Sequence, residues 1–394
     1  MSSQPIEAIV TRKQLEVPNS IVGLPLEIPA LNELALRSLG LLYEEKEQLF
    51  SRRITETEAG LQKEETSRRQ TIIALLGLQR AAQSGAVLPF NVHSILDAAL
   101  RDRTWVRSAG DLGLLTWCMA ECFPEGLRLL FREFDYERAL AIYSDARRGC
   151  TRGLSWFLTG VAHAQIKCGR ALGDLTDIVV DAYRLVLNNQ GKSGIFGHAR
   201  FPRFLSRGFW NRFGTIADQV HAVYALTTLA QAFQIEEPLV SALACANSIC
   251  MLQGEMGQWW FLYENEAGRI VKRYPVLSQH QDGTAPLGLF ALEKATGRNF
   301  RDSIYKGLSW VAGTNELGND LRNPHRGLIW NAIRLRGQVT NYWEAAFSYV
   351  RDSHRTSRNN LDVLYEIRPD HYGWLLYAFG AFGLPEKTLP AATL

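Results

Sequence analysis

Several protein classes are excluded by what this 394-residue chain lacks. No stretch approaches the roughly eighteen consecutive apolar residues of a membrane-spanning helix. The opening Met1-Ser-Ser-Gln-Pro5 has neither a basic segment nor an apolar one, so no secretory signal is expected. The cysteines, Cys118, Cys122, Cys150, Cys168, Cys245 and Cys250, are too few and scattered for a disulfide framework. Cys118 and Cys122 lie one helical turn apart with no second Cys or His pair nearby, which argues against zinc. A reduced, cytoplasmic protein without metal or other cofactor is the expectation. Net charge is small: 43 Lys+Arg against 40 Asp+Glu leave +3, too little to select nucleic acid as a partner. Neither a Gly-rich phosphate loop nor a Gly-x-Ser-x-Gly elbow occurs. Strand-like patterning is confined to short pieces near 328–340 and 362–367.

What the chain does have is helix. Hydrophobic residues make up 46% and charged residues 21%, enough apolar material for a large core. Pro5, Pro18, Pro25 and Pro29 break up the first segment, so residues 1–32 read as an extended arm. Beyond it, apolar residues recur at helical spacing in 33–54, 67–82, 93–101, 105–122, 134–147, 151–166, 175–188, 214–233, 237–252, 280–296, 301–313 and 370–381. Gly85, Pro89, Pro124, Gly149, Gly169, Gly191, Pro238, Gly254, Pro275 and Gly297 separate these segments. They also alternate in character. Leu112-Gly-Leu-Leu-Thr-Trp117 and Trp374-Leu-Leu-Tyr-Ala-Phe379 are apolar on most sides, whereas Asp135–Tyr143 and Phe300–Leu308 show a polar face. Six buried helices alternating with six amphipathic ones predict an all-α fold, an (α/α)6 toroid over 33–394. A short insertion at about 314–365 is expected over one end of the ring.

An internal repeat supports the ring. Gln190, Gly194 and Phe196 recur at a constant offset as Gln253, Gly257 and Trp259. The same offset carries Asp218 to Gln281, Gln219 to Asp282, Ala222 to Ala285 and Leu226 to Leu289. Carried backward, it sets Ser155 and Trp156 beneath Asp218 and Gln219, a fainter third copy.

Gln253-Gly-Glu-Met-Gly257-Gln-Trp259 and its weaker copy resemble the Gln-Trp repeat of squalene and oxidosqualene cyclases, α/α toroids shared with protein prenyltransferases. In His280-Gln-Asp-Gly-Thr-Ala285, the chain is similar to the Asp-x-Asp-Asp-Thr-Ala of class II terpene cyclases. That resemblance implies that Asp282 is a proton donor; His280 and Gly283 replace the two flanking aspartates.

In such a ring, the turns entering the buried helices line one mouth, where helix N-termini converge with partial positive charge. Reading off those turns gathers Arg68, Arg69, Arg107, Asp111, Arg152, Asp218, His221, Gln279, Gln281, Glu366, Arg368, Asp370, His371 and Tyr372 around His280 and Asp282. Trp156, Trp259, Trp260, Tyr263, Glu264 and Tyr274 add aromatics and a carboxylate. Such a concave, polar mouth suits a ligand. Asp282, His280 and Asp218 are the candidate catalytic groups, with Asp282 alternatively a helix cap. His280 and His371 each lie beside an acid that could fix one tautomer. Arg68, Arg107, Arg152 and Arg368 suit a carboxylate or phosphate, or else pair with local acids. The run His198–Phe213 interleaves four arginines with aromatics and reads as a lid, a peripheral membrane patch or a nucleic-acid strip, the lid being favoured.

Two enzymatic expectations follow. The resemblance implies an isoprenoid cyclase in which Asp282 protonates an alkene and Trp156, Trp259, Trp260 and Tyr263 steady the cation. The alternative is a carbohydrate-active enzyme (lyase, hydrolase or epimerase) acting on an anionic glycan in the same mouth. A non-catalytic binding role is the third expectation. A cavity polar to its floor favours the glycan.

Overall fold

The computed structural model describes residues 28–144, 150–198, 211–337 and 358–382. Among them, six buried helices close a ring. These are α2 (Arg68–Gln83), α4 (Ala109–Cys122), α7 (Thr151–Cys168), α9 (Ile216–Phe233), α11 (Ala285–Thr296) and α13 (Pro369–Phe379). Each packs on the next, and α13 returns to α2. An outer layer is formed by α1 (Ile28–Leu42), α3 (Val92–Leu100), α5 (Leu127–Glu133) with α6 (Tyr136–Ser144), α8 (Thr176–Leu187), α10 (Glu237–Met251) and α12 (Arg301–Val311). The expected α/α toroid is the fold. Inner and outer helices differ as their composition requires: every residue of α4 is buried, whereas α8 buries only Val179, Ala182 and Val186.

Inner helices approach backbone to backbone at glycine. A Cβ placed on Gly113 would lie 2.3 Å from Phe157 Cα, and one on Gly160 would lie 2.2 Å from Gly113 O. Chain ends complete the ring, since α1 packs against α13 and Asn32 Nδ2 donates to Phe379 O at 3.0 Å. The arm expected over 1–32 lies mostly outside the described residues, but its last part is already helix α1. The helix expected over 33–54 instead ends at Leu42. Tyr43–Glu44 pairs with Leu49–Phe50, and Ile54–Thr57 with Gly60–Lys63. The positive φ of Gln48 (56°) reverses the chain, and β-branched Ile54, Thr55 and Thr57 prefer the extended state.

Short sheets collar one end of the ring, because strands immediately precede inner helices. Phe213–Thr215 leads into α9 and pairs with Leu262–Glu264. Val276–Leu277 precedes the turn into α11 and pairs with Ala332–Leu335, which also pairs with Leu361–Leu364. Glu366–Ile367 leads into α13 and pairs with Ile54–Thr57. Of the strands within 314–365, Ala332–Leu335 and Leu361–Leu364 therefore lie on the mouth side.

The repeat has a physical basis. Gln190 Nε2 donates to Gly194 O (2.9 Å) and to Ser241 O on the next outer helix (3.0 Å). Gln253 does the same to Gly257 O (3.0 Å) and Ser303 O (2.9 Å). Each glutamine thus ties its own turn to the neighbouring outer helix. Gly257 is obligatory there: its φ is +97°, and a Cβ would fall 2.1 Å from Lys306 O.

Candidate active site at the toroid mouth

The mouth is stitched together by side chains that cross from one inner helix to the next. Ser108 caps α4 by accepting from Asp111 N (3.1 Å), and its hydroxyl donates to Asp111 Oδ2 (2.9 Å). The other Asp111 oxygen pairs with Arg69 of α2. Thr215 and Asp218 form a capping box on α9. The Asp218 carboxylate also accepts from Arg152 N of α7 (3.1 Å) and lies 2.8 and 2.9 Å from His198 Nδ1. Burial would raise its pKa, but His198, the Thr215 hydroxyl and Arg152 hold it down to about 2. Both oxygens of Asp218 accept from protein donors, and these bonds join α7 to α9.

His280 and Asp282 sit on a five-residue π-turn, His280–Thr284, ahead of α11. Such wide turns often mark functional positions. His280 Nδ1 lies 2.7 Å from Thr284 Oγ1. Burial, followed by the charges of Arg152 and His371, lowers its pKa to about 3. His221 is held well below its usual range by burial, then by Arg152 and His280, and its Nδ1 accepts from Trp156 Nε1 at 3.2 Å. Both imidazoles are therefore neutral at physiological pH. Asp282 is fully buried and faces His371 of α13, whose Nε2 lies 2.8 and 3.0 Å from its two oxygens. A carboxylate oxygen accepts, so the Nε2 proton is shared between them, and Nδ1 of His371 has no partner among the described residues. Asp282 thereby holds the His371 ring in place.

The four candidate arginines separate sharply. Arg68 pairs with Asp102 (3.6 Å), and exposed Arg107 turns its Nε to Thr104 O (2.9 Å). Arg368 is neutralised by Glu366 (2.7 Å), which also binds Asn331 Nδ2 (2.6 Å) and Arg53 (3.3 Å). Arg152 has no carboxylate partner among the described residues. Its guanidinium lies 5.0 Å from the Trp156 ring centroid, its Nε is shielded without an acceptor, and its charge is felt by His221, His280, Asp218 and Asp370.

Below this rim the axis is filled by packed aromatic rings with polar groups set among them. His221 packs edge-on to Trp374 (5.2 Å), which meets Trp117 (5.4 Å); Trp117 stacks on Tyr224 and His163. At the far end, Glu121 meets His163 Nδ1 (3.0 Å), Tyr377 OH (3.2 Å) and Lys167 (3.5 Å). This network was not anticipated, because it uses the C-terminal ends of the inner helices. Other candidates are spent on packing. Trp259 is wholly buried beside Gly307, and its backbone N–H donates to Gln281 Oε1 (3.2 Å). Tyr263 is wholly buried, Trp260 meets Tyr274 edge-on, and Tyr274 donates to Glu316 (2.7 Å). Tyr372 donates to Ile329 O (2.9 Å). Residues 199–210 of the arginine-aromatic run lie outside the described residues. No described helix is long and apolar enough to cross a membrane, and no described cluster of His, Cys, Asp or Glu could hold a metal.

Fold and mouth together define an (α/α)6 toroid with a polar rim. No family model matches the sequence, and no curated protein does either. Solved structures do match. An unsaturated glucuronyl hydrolase from Streptococcus agalactiae aligns over 97% of this chain and 98% of its own, at 14% identity and a TM-score of 0.59. A possible GH105-family member from Salmonella enterica covers 93% and 95% at 12% identity and 0.56. A variant of the streptococcal enzyme complexed with dGlcA-GalNAc6S aligns at 13% identity and 0.59, over 97% and 98%. These likenesses establish the shared fold. They correct the resemblance to terpenoid cyclases, since the matching toroids named here are unsaturated glucuronyl hydrolases and a possible GH105 member. Geometry agrees: Asp282 stands against a histidine rather than in an acidic cluster, and Trp259 and Tyr263 are packed away.

Proposed function

We propose that this protein is a carbohydrate-active enzyme that hydrolyses a glycan carrying a carboxylate, with the toroid mouth as its active site. The observation that carries this reading is Arg152, a partly buried cation that forms no salt bridge among the described residues. Around it lie two histidines held neutral and an oriented Asp282–His371 pair. A guanidinium fork suits a planar carboxylate, and the adjoining Trp156 face suits a sugar ring. The unsaturated uronyl ligand of the streptococcal neighbour supports the same substrate class. Asp282 would hold His371 in one tautomer, so that its second nitrogen can take up or release a proton.

Purified protein should be incubated with unsaturated chondroitin and heparin disaccharides, saturated glucuronides and galacturonides, and neutral disaccharides as controls. Release of the terminal acidic sugar, with the neutral controls intact, is the expected result. Turnover of neutral sugars alone would refute the anionic assignment.

A further inference from the structure

The mouth holds three imidazoles whose neighbours dictate different proton positions. A carboxylate oxygen accepts, so Asp282 fixes a proton on Nε2 of His371 (2.8 Å). Thr284 Oγ1 can donate or accept, so it leaves either tautomer open to His280 (2.7 Å). His221 meets the reverse of a carboxylate. Trp156 Nε1, on α7, lies 3.2 Å from His221 Nδ1, on α9, and an indole N–H can only donate. Nδ1 must therefore carry a lone pair, and the one proton of the neutral ring sits on Nε2. An imidazolium, protonated on both nitrogens, could not make this bond. Packing holds the ring in that setting: its centroid lies 5.3 Å from that of Trp156 and 5.2 Å from that of Trp374, edge-on to both. Nε2 bonds nothing among the described residues, and unlike Nδ1 of His371 it is not shielded from solvent. The Trp156 ring is also the one that lies 5.0 Å from the Arg152 guanidinium. One indole thus joins a cation that forms no salt bridge to an imidazole with a proton to offer.

We infer that His221 is the neutral hydrogen-bond donor of the site, locked in its Nε2–H form by Trp156 and offering that proton to a sugar oxygen of the glycan whose carboxylate Arg152 binds. This rests on the glycan reading above. A neutral imidazole donates without setting a second positive charge beside Arg152, and it polarises the oxygen it meets without giving up its proton. Burial, then the charges of Arg152 and His280, hold the His221 pKa well below the ordinary histidine value, so protonation does not break the lock at neutral pH. His371 and His221 therefore divide the work: the Asp282 carboxylate leaves His371 a lone pair at Nδ1, and the Trp156 indole leaves His221 a proton at Nε2.

The test reads the imidazole directly. Trp156→Phe keeps an aromatic ring beside Arg152 but has no N–H. It and wild type, with isotope-labelled histidine, are compared at neutral pH by long-range proton–nitrogen correlation NMR, the His221 signals being those missing from His221→Gln. Wild type should show the proton of His221 on Nε2 and an unprotonated Nδ1, and Trp156→Phe a mixture of both tautomers. Steady-state kinetics on an acidic disaccharide should show KM raised by about 2–10-fold in Trp156→Phe, which corresponds to one neutral hydrogen bond. His221→Gln, whose amide still donates, should stay nearer to wild type in KM than His221→Leu. A proton on Nδ1 of His221 in wild type, or a tautomer mixture in Trp156→Phe with KM unchanged, overturns the assignment. The locked form in a wild-type protein that turns over no glycan fells the functional reading and leaves the neutral donor standing; glycan turnover with the proton on Nδ1 does the reverse.

Discussion

His371 Nε2 sits 2.8 and 3.0 Å from the two oxygens of Asp282, joining the π-turn before α11 to the first turn of α13. Neither side chain is exposed. The pair fixes the imidazole in one orientation and leaves Nδ1 without a partner among the described residues. Asp282→Asn keeps the shape but replaces an acceptor-only group with one that also donates, so the preferred tautomer is lost. Glycan turnover should fall by about 10²–10⁴-fold in kcat with KM little changed. Steady-state kinetics check this, and unaltered kcat would remove Asp282 and His371 from the mechanism.

Arg152 should govern binding rather than chemistry. Charged hydrogen bonds contribute about 1.5–3 kcal/mol, so Arg152→Ala should raise KM for an acidic glycan by about 10–100-fold. Arg152→Lys should recover only part of this, because a point charge lacks the planar fork. Removing the cation should also let the pKa values of His221 and His280 rise, which NMR titration of the imidazoles reads independently of activity. A KM unchanged in both variants would place the anion site elsewhere.

Much of this was legible in the chain. Apolar periodicity located the inner helices, and alternation of buried with amphipathic segments gave the ring, because both follow from local pattern. The repeat was readable except at one point. Phe196 N donates to Gln219 Oε1 (2.7 Å), and Trp259 N donates to Gln281 Oε1 (3.2 Å). Gln281, not Asp282, is therefore the counterpart of Gln219. The π-turn absorbs one extra residue, restores the register by Ala285 and turns Asp282 toward His371. A wide turn has no residue signature of its own, so simple counting misaligned Asp282. Partner choice among the arginines was likewise hidden, since it depends on contacts remote in sequence, such as that of Arg53 with Glu366.

Buried neutral histidines make stability depend on pH. His280 has a folded pKa of about 3 against an ordinary histidine value of 6.5. Above 6.5 neither state binds the proton, so the group contributes nothing. Between 6.5 and 3 the unfolded chain protonates and the folded one does not, and stability falls on acidification. The slope is about 1.4 kcal/mol per pH unit for a fully responding histidine. His221 shifts the same way. Asp218, depressed from 3.8 to about 2, adds a further loss between those values. Urea midpoints measured from pH 7 to 4 should therefore decline, and His280→Gln should flatten the decline. Identical slopes for the two proteins would show that His280 is not buried neutral.

Closure of the ring depends on glycine at the contact of α4 with α7. A methyl group on Gly113 would enter the backbone of Phe157, with Phe157 N and Cα both at 2.3 Å, and neither helix can yield without shifting its other neighbour in the ring. Overpacking against backbone is relieved only by moving whole helices, so Gly113→Ala should cost about 3 kcal/mol. Because α7 carries Arg152 and Trp156, their positions at the mouth should shift as well, and a variant that still folds should show a raised KM for acidic glycans. Gly85, where a Cβ would meet nothing within 4 Å, provides a control: its φ of +87° makes Gly85→Ala locally strained but leaves the ring untouched. Thermal unfolding of the two variants should separate them, with Gly113→Ala the less stable and Gly85→Ala retaining wild-type KM; the reverse order would mean that the inner helices are less tightly apposed than their glycines indicate.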